Sequence, residues 1–288
     1  MPSGKKVTPL FGILLISLSA ILSAKENTAL GAQKTVRPYV APKVHPYVSP
    51  KVHPNYIVVL DPGHGGSDTG ASAKLGKKLV FEKDISLAIA VRAEKILANP
   101  AFSKALGRTI KVILTRRSDI YVSLEDRSEK AKKAGADLFV SIHANSESTK
   151  RASGLETYFL NNTDDESALK LQQIENRTSK RYQQKMDPSS LLIRSVSADA
   201  VVESSRRAAE ILQSSMVDQL RRNDLKFQDR GVRQAMLYVL LDAQVPAVLV
   251  ESFFLSHKAD LEFLNEPENR GKIAEGLAKG VLRFLAQK

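Results

Sequence analysis

Four side chains that can bind a metal or transfer a proton flank apolar segments of this 288-residue chain. His64 follows the run YIVVL within DPGHGG, His143 ends the run DLFVSI, and Glu251 ends the run AVLV. Glu82 opens a segment with helical spacing. Because α/β proteins place their sites just beyond the carboxyl ends of the strands, we expect these side chains to lie together at one edge of a sheet.

Two histidines and one carboxylate are a known zinc-ligand set that leaves one position for water. Bound zinc lowers the pKa of that water to about 7, and a further carboxylate then accepts its proton. The chain has no Cys, which excludes cysteine-ligated metal sites, disulfides and thiol catalysis. A structural interpretation also stays open on the residues alone, because a histidine at a strand end is often structural and Glu82 can complement a helix N-terminus.

The elements that must position these residues alternate between strand and helix. Strands are predicted at 56–60, 110–114, 137–142, 155–160 and 247–251, and helices at 83–98, 124–134, 200–222 and 267–286. Ser123, with Asp126 three residues later, is typical of a helix N-terminus. This alternation predicts an α/β fold with a largely buried sheet, formed as one domain by residues 55–288.

Two segments before this domain indicate export. Lys5 and Lys6 precede a 15-residue apolar run that ends at Ala24, too short for a typical membrane span and typical of a secretory signal. We predict a signal peptide at 1–24, with an uncleaved anchor as the alternative. Residues 25–54 include the repeats RPYVAPKV and HPYVSPKV, which predict a stiff Pro-rich linker. The mature protein is then expected in the periplasm or cell wall, without a membrane span.

The charge of the chain is positive but unevenly distributed. The net charge is +12, of which two units fall in the predicted signal peptide and four in the linker, so residues 55–288 carry +6. The folded part is therefore only mildly basic, as suits an anionic cell wall. With no Trp, 6% aromatic residues and no recognition motif, nucleic-acid binding is not expected.

The motifs together resemble the zinc-dependent N-acetylmuramoyl-L-alanine amidases of bacterial cell walls. The matching segments run in order from about Ile57 to the C-terminus: VVLDPGHGGSDTGA, FEKDISLAIA, VILTRRSD, SLEDRSEKAKKAGADLFVSIHANS, GLETYFL and PAVLVESFFLSH. The resemblance implies a mixed, mostly parallel sheet flanked by helices. It also implies zinc bound by His64, Glu82 and His143, with Glu251 as the catalytic carboxylate.

The implied reaction is hydrolysis of the amide between N-acetylmuramic acid and L-alanine in peptidoglycan, for wall remodelling and daughter-cell separation. Two alternatives stay open: a zinc peptidase that cuts another stem-peptide bond, and an inactive cell-wall-binding scaffold. Phe253 stands where the family usually has Gly, and we expect it to narrow the pocket beside Glu251. His257 replaces a family Asn and is interpreted as a residue at the start of a helix or a solvated polar group.

Residues 161–199 resemble the regulatory insertion of the division-associated amidases, in which a helix covers the zinc cleft until an activator protein displaces it. Ala168, Leu171 and Glu175 fall on one helical face. A carboxylate on an apolar stripe requires a cation if it is buried. We therefore expect Glu175 to block the zinc, with a solvent-exposed Glu175 at the helix edge as the alternative.

Overall fold

The computed structural model describes residues 55–179, 199–223 and 225–288. The predicted signal peptide and Pro-rich linker lie outside the described residues. So does most of the later half of the predicted insertion, residues 180–198.

The described residues form a six-stranded mixed sheet and a small hairpin. The strands are β1 (Asn55–Pro62), β2 (Ser72–Leu75), β3 (Lys78–Phe81), β4 (Thr109–Leu114), β5 (Leu138–Asn145), β6 (Leu155–Leu160), β7 (Asp229–Ala235) and β8 (Ala247–Phe254). The main sheet has the order β4-β1-β5-β8-β6-β7, and β2 pairs with β3. Strands β4, β1, β5 and β8 are mutually parallel, whereas β6 is antiparallel to β8 and β7 is parallel to β6.

Helices cover both faces of this sheet. They are α1 (Glu82–Leu97), α2 (Pro100–Leu106), α3 (Leu124–Ala134), α4 (Glu166–Glu175), α5 (Asp199–Arg221), α6 (Tyr238–Leu241), α7 (Lys258–Asn265) and α8 (Pro267–Leu285). One core lies between the sheet and α1, α5, α7 and α8, and the other lies against α3, α4 and α6. No helix in the described ranges has both the length and the apolar character needed to cross a membrane.

The central strands are continuous apolar runs because both of their faces are buried. In β5, Leu138 and Val140 contribute to one core while Phe139 contributes to the other. Helix α3 begins where its cap predicts, since the Ser123 hydroxyl accepts a hydrogen bond from the Asp126 amide at 3.2 Å. The α/β fold with a mixed, mostly parallel sheet is therefore confirmed.

Several shorter elements were not predicted: the hairpin of β2 and β3, helices α2, α6 and α7, and strand β7. Strand β7 reads DRGVRQA, and its side chains up to Gln234 are partly or fully exposed. Because it lies at the end of the sheet order, it needs little apolar surface and carries no clear strand pattern. This omission matters because β7 contributes a residue to the site.

Candidate metal centre

The first candidate ligand lies in a loop held by two buried arginines. His64 follows β1 and has a left-handed backbone, with φ of 57°. Arg127 donates to the carbonyl of His64 at 2.8 Å, and Arg116 donates to the carbonyl of Gly63 at 2.7 Å. Both arginines are 2% exposed, and both also donate to the Pro62 carbonyl. These contacts hold a backbone conformation that is uncommon for a non-glycine residue.

Glu82 is the first residue of α1, and its carboxylate is buried and fully bonded. Oε2 accepts a hydrogen bond from the Ala71 amide at 2.8 Å, and Oε1 accepts one from the Ala144 amide at 3.1 Å. Oε1 also lies 2.9 Å from Nδ1 of His143. Burial by itself raises the pKa of Glu82, but the charge of His64 and the histidine hydrogen bonds lower this pKa well below its ordinary value. These contacts hold the Glu82 carboxylate against both histidines.

Four side-chain atoms converge on one point: His64 Nε2, Glu82 Oε1, His143 Nδ1 and Glu175 Oε2. The two glutamate oxygens lie 3.1 and 3.6 Å from the His64 nitrogen, and 2.9 and 3.2 Å from the His143 nitrogen. Four ligands bound to zinc at about 2.0–2.1 Å in a tetrahedron lie about 3.3 Å from one another. The four histidine–glutamate distances are close to this value, and all four atoms lie within 4.8 Å of one another, so the spacing and the nitrogen and oxygen donors are compatible with a zinc ion.

An unsatisfied atom supports this fit independently. Nε2 of His64 is buried and has no hydrogen-bond partner of acceptable geometry in the described residues, although the carboxylates of Glu82 and Glu175 face it. A buried polar atom without a partner is costly, so such atoms usually bind an ion or a water molecule. The other ring nitrogen, Nδ1, lies 2.9 Å from the carboxylate of Asp68. This is the carboxylate–histidine arrangement that orients metal ligands.

Two glycines leave room for the cluster. A Cβ at Gly63 would lie 2.4 Å from Cε1 of His143. A Cβ at Gly70 would lie 2.5 Å from a carboxylate oxygen of Glu82, and Gly70 also has a positive φ of 63°. The glycines of the DPGHGGSDTG segment thus allow the close approach of the ligands.

Glu251 lies beside the cluster on the adjacent strand, in register with His143. It is completely buried, and neither of its carboxylate oxygens has a hydrogen-bond partner in the described part of the chain. Burial raises the pKa of Glu251 well above its ordinary value, and the negative charges of Glu175 and Glu82 raise it further. A buried carboxyl without a competing partner in the described residues, beside a metal-type cluster, has the position that a general base requires.

Helix α4 brings Glu175 to the cluster. Ala168 and Leu171 are buried in the second core, as the helical spacing predicted, and Glu175 ends the helix with its side chain 9% exposed. Next to it, the side-chain amide of Asn176 donates to the Met236 carbonyl and accepts from the Tyr238 amide, both at 2.8 Å. The described part of the insertion is therefore packed onto the domain with its glutamate among the histidines.

A charged network that the sequence did not indicate lies on the other side of Glu251. Glu156 of β6 pairs directly with Glu251 across the sheet and is 1% exposed. It accepts hydrogen bonds from Arg230 at 2.8 Å and from Asn145 at 2.9 Å. Because Arg230 lies on the unpredicted strand β7, no pattern in the sequence linked it to Glu156.

Phe253 does not narrow the pocket beside Glu251, contrary to expectation. Its φ is 70°, and β8 has one extra residue here relative to β5, because His143 pairs with Glu251 and Asn145 pairs with Phe254. This β-bulge turns the Phe253 ring into the first core, where it contacts Phe227 and Phe263 at centroid distances of 5.7 and 4.7 Å.

His257 lies outside the cluster and immediately precedes α7. Its Nδ1 lies 3.2 Å from the carboxylate of Asp260. It is therefore a residue at the start of a helix, one of the two interpretations that the sequence allowed.

The fold and the cluster together define a single-domain α/β protein with a candidate metal centre. The family model described as N-acetylmuramoyl-L-alanine amidase matches residues 58–283, and the chain belongs to this family. The chain is 34% identical to the N-acetylmuramoyl-L-alanine amidase AmiA of Escherichia coli over 231 residues, which cover 80% of this chain and 76% of AmiA. Cleavage of the amide between N-acetylmuramic acid and L-alanine in peptidoglycan is the activity that this membership supports.

Solved structures agree with the fold. An N-acetylmuramoyl-L-alanine amidase from Clostridium difficile 630 matches with a TM-score of 0.60 and 27% identity, over 82% of this chain and all of that chain. The amidase AmiC2 of Nostoc punctiforme matches with a TM-score of 0.57 and 28% identity, over 81% of this chain and 98% of that chain.

Proposed function

We propose that the chain is a secreted zinc amidase that its own helix α4 holds inactive. In this proposal His64, Glu82 and His143 bind zinc, Glu251 is the catalytic carboxylate, and Glu175 blocks the metal. The observation that carries the proposal is the convergence of Glu175 with the three other candidate ligands at 3.2 and 3.6 Å from the two histidine nitrogens. Zinc supplies Lewis-acid chemistry at such a site, polarising a carbonyl and making water more acidic.

The protein groups divide the remaining work. Glu251 accepts a proton from the attacking water and delivers it to the nitrogen of the leaving L-alanine, because its buried carboxyl has no competing partner in the described residues. Asp68 fixes the ring of His64 through Nδ1 and leaves Nε2 for the metal. Arg116 and Arg127 hold the loop that carries His64, so the ligands are arranged before the metal binds.

Autoinhibition follows from the position of Glu175. Two carboxylates and two neutral histidines balance the charge of a zinc ion, whereas a buried Glu175 without a cation is unfavourable. In agreement, burial raises the pKa of Glu175, although the nearby His143 and His64 oppose this effect. A water molecule and a substrate carbonyl need the position that Glu175 occupies, so the helix must move away before catalysis. An activator protein that displaces α4 is the expected partner.

The cellular role rests on features outside the site. The predicted signal peptide at 1–24 and linker at 25–54 support work in the periplasm or cell wall. The resemblance of residues 161–199 to the insertion of division-associated amidases supports a role in wall remodelling during daughter-cell separation.

Digestion of purified peptidoglycan tests the chemistry. We expect the full chain to release intact stem peptides that begin with L-alanine, and a chelator to stop the release. Glu251→Gln should abolish release while retaining zinc, since Glu251 is not among the four converging ligands. Loss of alanine from the far end of the stem would instead indicate a different peptidase, and full activity of Glu251→Gln would refute the assignment of the base.

A pair of variants tests autoinhibition. Glu175→Ala removes the blocking carboxylate, and we expect activity on isolated sacculi to increase with zinc still bound. Glu166→Ala is the matched control, because Glu166 belongs to the same helix but is exposed. Equal activity of the wild type and both zinc-loaded variants would refute the blocking role of Glu175.

A further inference from the structure

A second cavity lies next to the cluster and has no role in the mechanism above. Its volume is about 380 Å³, and its walls come from the loop after β5, from strands β6, β7 and β8, and from the side of α4 that carries Lys170. The cationic side chains of Arg151, Lys170 and Arg230 line it, together with the acidic side chains of Glu147 and Glu156. In ligand pockets, a small number of placed polar groups fix the orientation of the ligand.

The acidic residues of the cavity are already occupied. Glu156 is bonded to Arg230 and Asn145, and Glu147 accepts hydrogen bonds from the amides of Thr149 and Arg151. By contrast, Arg151 and Lys170 are exposed and make no side-chain hydrogen bond in the described part of the chain. The cavity therefore offers positive charge.

Arg230 is the most precisely positioned of these cations. Its Nε donates to Glu156 at 2.8 Å, and its guanidinium carbon lies 5.1 Å from the centre of the Phe254 ring. Its side chain is 16% exposed, and no described residue accepts a hydrogen bond from its two Nη nitrogens. The planar guanidinium is thus held through Nε, and its two Nη nitrogens are left to donate two parallel hydrogen bonds to a carboxylate.

The sheet register relates Arg230 to the reaction centre. His143, Glu251, Glu156 and Gly231 are successive partners on four neighbouring strands, and Arg230 precedes Gly231. Neighbouring strands are about 4.8 Å apart, so Glu156 and the guanidinium bonded to it lie roughly 10 Å from His143 along this row. The backbone of an extended peptide advances about 3.3 Å per residue and covers that distance in about three residues, or in two where a side chain spans the rest.

We propose that this cavity, defined as the Arg230 subsite, binds a carboxylate of the stem peptide two to three residues beyond the scissile amide. The inference rests on the proposed function for the location of that amide and adds a preference for acidic stems. Arg230 and Arg151 belong to the body of the domain, whereas Lys170 belongs to α4. Only part of the positive charge therefore remains when the helix moves away.

Binding of short peptides tests the subsite without any need for turnover. Three tripeptides with amidated C-termini begin with L-alanine: one has no carboxylate, one has a carboxylate at residue two, and one has it at residue three. Calorimetry is performed on the full chain and on Glu175→Ala, which removes the side chain that binds α4 to the cluster. We expect an acidic peptide to bind about tenfold to a hundredfold more tightly than the neutral one, as a charge-assisted pair implies.

Substitutions assign this preference to Arg230. Arg230→Gln should abolish the preference for acidic peptides. Arg230→Lys should retain only part of this preference, because lysine lacks the planar guanidinium that binds a carboxylate bidentately, and Arg151→Gln should reduce the preference a few-fold. Arg92→Gln, an exposed substitution on α1, is the control and should retain the full preference. Circular dichroism checks folding, and Arg151→Gln with Lys170→Gln tests the same cavity if Arg230 variants do not fold.

Three results would overturn the subsite: equal binding of acidic and neutral peptides, a preference that survives in folded Arg230→Gln, or no binding of any peptide at millimolar concentrations. The result is separable from the amidase assay. Release of stem peptides without a preference for carboxylates in the binding assay would refute the subsite and leave the proposed function intact. A preference for carboxylates without release of stem peptides would support the subsite and refute the proposed function.

Discussion

At the bulge residue Phe253, we expect glycine to be a less destabilising substitution than alanine, which reverses the usual order in a strand. Truncating a buried phenylalanine to alanine costs about 3–5 kcal/mol, and glycine in a strand is normally worse than alanine by about 0.5–1 kcal/mol. At Phe253, however, φ is 70°, and a side chain in this left-handed conformation costs about 1–2 kcal/mol. The relief of this strain exceeds the entropic penalty of glycine. We therefore expect Phe253→Gly to be more stable than Phe253→Ala by about 0.5–1 kcal/mol, with both less stable than the wild type.

Phe254 provides a matched control in the next position of the same strand. It is also a phenylalanine and also 2% exposed, but it is not among the residues with positive φ. Phe254→Gly should be less stable than Phe254→Ala by about 0.5–1 kcal/mol. Urea unfolding followed by circular dichroism measures the four free energies of unfolding. If glycine is worse than alanine by the same margin at both positions, the argument from backbone strain is refuted.

Three further predictions concern the layer around the site. Asp68→Asn should weaken zinc binding about 10- to 100-fold in a chelator competition, because the ring of His64 loses its orienting carboxylate; unchanged affinity would contradict this. Asn176→Ala removes two hydrogen bonds that dock α4, so activity on sacculi should increase roughly 5- to 100-fold at unchanged zinc content, and unchanged activity would count against docking as the restraint. Burial raises the pKa of Asp61, but the ion pair with Arg127 and the hydrogen bonds to Asp61 lower this pKa below its ordinary value. The ionised Asp61 therefore stabilises the fold above about pH 4, and this contribution is lost as the pH falls through the lowered pKa. Asp61→Asn should reduce the stability at pH 7 by about 3–5 kcal/mol and flatten the acid limb of unfolding free energy against pH; parallel acid limbs would contradict this.

The candidate ligands at the strand ends could be predicted because one sequence pattern, an apolar run followed by a polar residue, indicates both the strand and the site. An apolar run that is buried on both faces is easily recognised, and the first polar residue beyond it lies at the edge of the sheet. From the sequence alone, this pattern predicts that His64, His143 and Glu251 lie together. Helical spacing does the same for Glu175, which lies on the face of Ala168.

The supporting contacts were not predictable in the same way. The contact between Arg127 and the His64 carbonyl joins residues 63 positions apart, and no spacing rule indicates it. Arg230 was missed because the edge strand β7 has too little buried surface for a recognisable pattern. The direction of the Phe253 ring depends on one extra residue in β8. The presence of Phe where the family usually has Gly does not by itself show whether the strand bulges.

In the autoinhibited state proposed above, the attachment of Glu175 to the same chain has a consequence for how the enzyme would be switched on. A tethered ligand acts at an effective concentration of about millimolar or above, whatever the concentration of the protein. Dilution would therefore not relieve the proposed inhibition, and a dissolved carboxylate would have to exceed this local concentration to replace Glu175. Release is more readily achieved by a partner that binds the displaced helix than by one that competes for the metal. Under the proposed autoinhibition, the position of the enzyme relative to such a partner, rather than its abundance, would determine where the wall is cut.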